Sequence, residues 1–100
     1  METVLNQRAI DKIATDDLFR VEYNIEDVLE HPADQRVRRV NLDKAVTLGR
    51  SLNHKTTLVI STTKGFKQFD AVVHFVNDKG VTLEHDHFIP IHSIYSVDII

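Results

Sequence analysis

The chain has 100 residues, of which 42% are hydrophobic and 27% are charged, and its formal net charge is -3 at pH 7. These values fit one globular domain with a modest core and exclude a wholly disordered chain. The sequence contains no cysteine, which excludes disulfides and thiolate chemistry. It also contains no apolar run suited to a signal peptide or a membrane span, so we expect a soluble cytoplasmic protein.

The first half of the chain has apolar residues at helical spacing. In the first segment the residues that could line one side of a helix are Val4, Leu5, Ile10, Ile13 and Ala14. Asn24 is a candidate N-cap for a second, short helix that reaches Leu29 and is closed by Pro32. We therefore predict an acidic, partly helical N-terminal segment over residues 1–33.

The stretch over residues 34–48 fits two interpretations. Apolar residues three and four positions apart suit a helix that ends at Gly49. A strand is also possible, because alternation is seen at Val40, Leu42, Val46 and Leu48. We predict a helix, which would lead into the second part of the chain, residues 34–100.

From residue 56 onward, β-branched and aromatic runs are separated by turn signals. The turns are "TTKG", "NDKG" and "EHDH", and Gly80 could take the positive φ that closes the second hairpin. Pro90 cannot donate to a sheet ladder and marks a break before the last strand. The pattern predicts a mainly-β fold, a small five-stranded, partly open SH3-like barrel behind the helical segment, with strands near residues 58–61, 69–76, 81–83, 88–91 and 95–99.

Two stretches, "RVRRVNLDKAVTLG" and "IPIHSIYSVDI", resemble a small family of uncharacterised bacterial proteins with an "IPIHRI"-type C-terminus. The resemblance covers residues 34–100 and implies no activity. Residues 57–99 are also similar, more distantly, to Sm-like barrels, whose last two strands flank a short turn with a histidine, here His92. That similarity implies a ring formed through edge strands and binding of RNA.

Net charge varies along the chain, and the basic part suggests a nucleic-acid site. Residues 1–30 carry a net charge of -5, whereas residues 31–55 carry +4. Guanidinium groups bind phosphates in a forked geometry, so the candidates for nucleic-acid binding are Arg36, Arg38, Arg39 and Arg50. In a helix Arg36 and Arg39 share a side while Arg38 points away. A basic face that merely pairs with the acidic segment explains the same pattern.

Histidines near the C-terminus suggest a metal site. His85 and His87 would point the same way if the strand continued through them, and His92 or His74 is available as a third ligand if the barrel brings it near. A polar turn whose side chains meet water explains these residues equally well. No phosphate-binding, dinucleotide-binding or nucleophile motif is present, so we predict neither an enzyme nor a cofactor.

The sequence thus predicts a non-enzymatic cytoplasmic interaction module. Its partner would be another protein or a second copy of the chain, bound at an edge strand or groove, with no membrane partner. The alternatives are an Sm-like RNA-binding protein and a metal-binding protein.

Overall fold

The structure, a computed structural model, describes residues 10–100 and contains six β-strands and one α-helix in that range. The helix α1 spans Pro32–Leu52, and the strands are β1 (Ile10–Lys12), β2 (Lys55–Thr62), β3 (Gly65–Val76), β4 (Gly80–Leu83), β5 (Phe88–Pro90) and β6 (Ile94–Ile99). Three short 3₁₀ helices lie between them, at Thr15–Arg20, Glu84–Asp86 and Ile91–Ser93. None of the helices in this range combines the length and hydrophobicity needed to cross a membrane.

The strands form one open sheet in the order β5-β4-β3-β2-β6. All neighbours along this path are antiparallel, and β2 stands between β3 and the C-terminal strand β6. The short strand β1 lies parallel to the start of β3, with Ile10 opposite Phe66. The five predicted strands are confirmed as β2 to β6. The sixth, β1, was predicted as part of a helix, and the free edge of β3 explains why it is extended.

Helix α1 packs across the sheet, mainly against β3 and β6. It begins with Pro32, whose fixed φ suits a first helical residue, and ends at Asn53 in the left-handed conformation with φ 54. The core is formed by fully or almost fully buried side chains, among them Leu42, Ala45, Leu58, Ile60, Phe69, Val73, Val81, Leu83, Ile89 and Ile94. A helix over residues 34–48 is confirmed.

Gly49 does not end the helix as predicted. It lies inside α1 and is buried, because a Cβ at this position would fall far inside contact distance of the Val73 carbonyl oxygen. The absence of a side chain therefore allows α1 to approach β3, and the helix continues to Leu52 before Asn53 closes it.

The predicted N-terminal helices are corrected by the structure. Ile10 lies in β1, and Val4 and Leu5 fall outside the described residues. The stretch from Asn24 to Leu29 is a loop, because the Asn24 amide donates hydrogen bonds to Ser61 and Thr62 on β2 and does not cap a helix. Pro32, expected to close a helix, begins one.

Gly80 does not have the positive φ that was predicted for it. Gly65, in the turn between β2 and β3, has a positive φ of 98. In the β3–β4 turn the side chain of Asn77 accepts hydrogen bonds from the backbone N–H groups of Lys79 and Gly80. Gly80 is needed for a different reason, because a Cβ there would collide with the carbonyl oxygen of Ile89 on β5.

Candidate functional site

An ion pair joins α1 to the loop that precedes it. Arg38 projects from the buried side of the helix and donates from Nη1 and Nη2 to the two carboxylate oxygens of Asp27, at 2.9 and 2.8 Å. Nη1 also donates to the backbone carbonyl of Ile94, at 3.0 Å. Only 6% of Arg38 is exposed. One guanidinium therefore fixes the loop, the helix and the start of β6 to one another.

The carboxylate of Asp27 stays ionised in this position. Partial burial acts to raise its pKa. The hydrogen bonds that Arg38 and the Leu29 N–H donate, together with the positive charge of Arg38, act to lower it. The lowering effects are larger, so the pKa of Asp27 lies below its ordinary value. Arg38 thus has a charged partner at neutral pH.

The loop over residues 21–31, which we call the acidic loop, is also held by His92. The Nε2 atom of His92 lies 2.7 Å from the Asn24 carbonyl oxygen, and the Val28 N–H donates to the His92 carbonyl at 2.9 Å. The Asn24 side chain in turn donates to β2. The 3₁₀ turn before β6 and the end of β2 therefore hold the loop in one conformation.

An open cavity of about 650 Å³ lies beside the acidic loop and is lined by Tyr23, Asn24, Ile25, Glu26, Asp27, Val28, Glu30, Ser61 and Thr63. Ile25 is 92% exposed at its edge. Burial raises the pKa of Tyr23 to about 12, so its phenol stays protonated at neutral pH. The cavity offers carboxylates and one exposed apolar side chain.

A smaller groove of about 340 Å³ lies between α1 and β6. We call it the α1/β6 groove, and it is lined by Leu29, Asp34, Val37, Arg38, Asn41, Tyr95, Ser96 and Val97. Within residues 10–100, β6 is paired with β2 along one edge and with no strand along the other. The groove therefore combines an unpaired strand edge with a helix wall.

The four arginines predicted to bind nucleic acid do not form one surface. Arg38 is buried against Asp27 and cannot reach a phosphate. Arg39 is paired with Asp43 and Asp78, at 3.3 and 3.0 Å. The other two are exposed at separate places: Arg36 near the start of α1, and Arg50 at its end, with its guanidinium 4.7 Å from the ring centre of Phe75.

The three histidines proposed as metal ligands are not brought together. His85 lies in a 3₁₀ turn with φ 64, so the strand does not continue through it and the same-side argument for His85 and His87 does not apply. His92 contacts Asn24. In the range that the structure describes, no three histidine, aspartate or glutamate side chains are grouped so as to hold a metal.

Sequence reasoning missed Asp27, which holds the groove-lining residue Arg38 in place. Asp27 had no pattern to mark it, because its partner Arg38 is eleven residues away on another element. Phe75 on β3 and Phe88 on β5 are 55% and 49% exposed. A register shift between Val73 and Phe75 turns the end of β3, and alternation alone does not reveal such a bulge.

The chain was compared with protein-family models, curated proteins and solved structures, and none of them matches it.

Proposed function

We propose that the protein is a non-enzymatic interaction module that binds an extended segment of another protein in the α1/β6 groove, as an additional strand beside β6. The observation that supports this function most directly is the edge of β6 that no strand within residues 10–100 pairs with, which borders the groove with α1 as the opposite wall. In such strand addition the main chain supplies hydrogen bonds and side-chain pockets supply specificity.

The dimensions of the groove suit a short extended segment. Asp34 and Asn41 are seven residues apart on α1, which corresponds to about 10 Å along the helix axis. That length accommodates about three residues of a strand. Val37, which is 58% exposed, and the partly buried Val97 offer apolar contacts, while Asn41 and Ser96 offer hydrogen bonds.

The groove is formed before a partner arrives. Arg38 ties α1 to the first residue of β6 and to the acidic loop, so the two walls are held at a fixed separation. A preformed site loses less conformational entropy on binding than one that must be ordered. Affinity can therefore come from few contacts.

We also propose that the sheet is a partly open SH3-like barrel. The order of β2 to β6 and the short 3₁₀ turn between β5 and β6 support this fold class. Folds of that kind carry many functions, so the function is argued from the groove and not from the fold. The proposal also assigns the module to the cytoplasm.

The Val37→Glu variant tests the groove. A buried carboxylate would oppose an apolar side chain of the partner, so peptides selected against the wild-type protein from a random dodecapeptide library should bind this variant at least about tenfold more weakly. The matched control is Val40→Glu, because Val40 is also half exposed on α1 but does not line the groove. Affinities are measured by isothermal titration calorimetry, and the site is mapped by amide chemical shifts.

Selected peptides should shift the amide resonances of residues 95–97 and 37–41 and should bind the Val40→Glu variant as they bind the wild type. Equal weakening by both glutamates, or shifts confined to another surface, would contradict binding in the groove.

RNA binding remains the alternative, and one observation favours it. Arg50 stacks over the exposed ring of Phe75, and an arginine beside an aromatic ring is a common contact for an unstacked base. This alternative predicts that a labelled 15-residue oligouridine binds with an affinity that falls with salt by about 0.7 logarithmic units per phosphate contact. The Arg36→Ala/Arg50→Ala variant should reduce that slope, whereas Arg39→Ala, whose guanidinium is already paired, should not.

A further inference from the structure

The charged residues that line the α1/β6 groove, Asp34 and Arg38, lie towards one end of it. Asp34 lines the groove, and Glu30, which follows the lining residue Leu29, lines the neighbouring cavity beside the acidic loop; both are exposed. The other carboxylate there, Asp27, is neutralised by Arg38. Glu30 and Asp34 therefore leave this end with net negative charge.

The nearby cations do not balance them, because Arg38 is already paired with Asp27 and Arg36 does not line the groove. Residues 22–34 include five carboxylates and neither lysine nor arginine. At the opposite end of the groove the lining residues Asn41, Ser96 and Val97 are uncharged. Among the residues that line the groove, an unpaired carboxylate therefore lies at one end and neutral side chains lie at the other.

We infer that the partner segment has apolar residues in extended conformation flanked at one end by lysine or arginine, which would lie against Glu30 and Asp34. This inference rests on the proposed function and adds the chemistry of the partner. Complementary charge at the edge of an interface fixes the register of the partner and raises the association rate more than it raises affinity.

A second copy of the chain fits this groove less well than a basic segment. In a dimer with two-fold symmetry, the β6 strands of the two copies would pair antiparallel. Asp98 near the end of each strand would then approach Glu30 and Asp34 of the other copy. Like charges in that arrangement repel, and the chain carries a net charge of -3. Charge complementarity therefore selects a different, basic partner.

Three capped heptapeptides test the inference on the full chain. They share the sequence Thr-Val-Thr-Val-Thr and begin with Lys-Lys, Ser-Ser or Glu-Glu. A second set of three carries the same pairs at the C-terminus, because the partner strand could run parallel or antiparallel to β6. We expect one Lys-Lys peptide to bind about threefold to tenfold more tightly than its Ser-Ser counterpart in low salt. The Glu-Glu peptides should bind most weakly. Affinities are obtained from amide chemical-shift titrations.

The variant Glu30→Gln/Asp34→Asn should remove the preference for Lys-Lys, and so should 0.5 M NaCl. The control Asp16→Asn/Asp17→Asn makes the same change of charge in the 3₁₀ helix Thr15–Arg20, which does not line the groove, and should leave the preference unchanged. If the Ser-Ser peptides bind in the groove as tightly as the Lys-Lys peptides, the inference is overturned and the proposed function stands. If none of the six peptides shifts the groove resonances, and library selection also yields no groove binder, both are overturned.

Discussion

Replacing Arg38 with methionine is expected to lower the free energy of unfolding by about 3 kcal/mol, near the lower end for breaking a buried ion pair. Methionine keeps much of the aliphatic volume but removes the charge, so the variant leaves Asp27 and the carbonyl of Ile94 without the hydrogen bonds that Arg38 donates. Asp27 is partly exposed, which allows water to solvate it in the variant and limits the loss. Urea unfolding followed by circular dichroism gives the measurement.

The pH dependence of stability distinguishes loss of the ion pair from loss of packing. The pKa of Asp27 in the folded protein lies below its ordinary value, so its ionisation stabilises the fold above the unfolded pKa. This contribution is lost as the pH falls through the folded pKa. We expect the wild type to lose this part of its stability in acid, while Arg38→Met should show a flatter profile below pH 5 because the lowered pKa depends on Arg38.

Two further variants are the controls. Arg36→Met removes an exposed arginine from the same helix and should change the unfolding free energy by less than about 0.5 kcal/mol. Asp27→Asn combined with Arg38→Met removes both charges and should be more stable than Arg38→Met alone, because no carboxylate is left without its partner. The single variant Asp27→Asn completes the comparison, and a loss in the double variant equal to the sum of the losses in Asp27→Asn and Arg38→Met would contradict the coupling.

Much of the fold could be predicted because its signals are local. Alternating apolar residues and turn sequences after residue 56 indicated β2 to β6, and Pro90 indicated the break before the last strand. The helix over residues 34–48 was favoured by spacing, although a strand also fitted. Each of these features depends on residues that are close together in the sequence.

The remaining features depend on contacts between distant residues. β1 is extended because it pairs with β3 more than fifty residues later, and a three-residue strand with one apolar residue does not reveal that partner. Gly49 resembles a helix end in sequence, yet it is needed because β3 passes close to α1. Local propensity was overridden by tertiary packing in both places.

The candidate site was missed for the same reason. Its ion pair links Asp27 to Arg38, and sequence reasoning took Arg38 as a ligand for phosphate because its charge was visible but its burial was not. The groove arises from the position of α1 relative to β6. Periodicity indicated that Arg38 would point away from Arg36 and Arg39, and the structure confirms this orientation, but periodicity does not identify what lies on that side.

The second large effect is expected from Gly49→Ala. In an isolated helix this change would stabilise the helical state by about 1 kcal/mol. In this protein the added methyl group would collide with the Val73 carbonyl oxygen and lie 3.1 Å from Cγ1 of Val72, and the first of these belongs to the sheet backbone and cannot rotate away. We therefore expect a loss of about 2–3 kcal/mol in the free energy of unfolding, measured in urea, as for overpacked cores.

Ser51→Ala is the matched control, because Ser51 lies two residues further along α1 and is exposed. It should change stability by no more than about 0.5 kcal/mol. A gain in stability for Gly49→Ala would show that α1 does not approach β3 so closely.

The contact at Gly49 holds the C-terminal half of α1 on β3, and Arg38 holds the N-terminal half near β6. Because these two contacts set the position of α1 over the sheet, Gly49→Ala should also weaken peptides that bind in the α1/β6 groove, whereas Ser51→Ala should not.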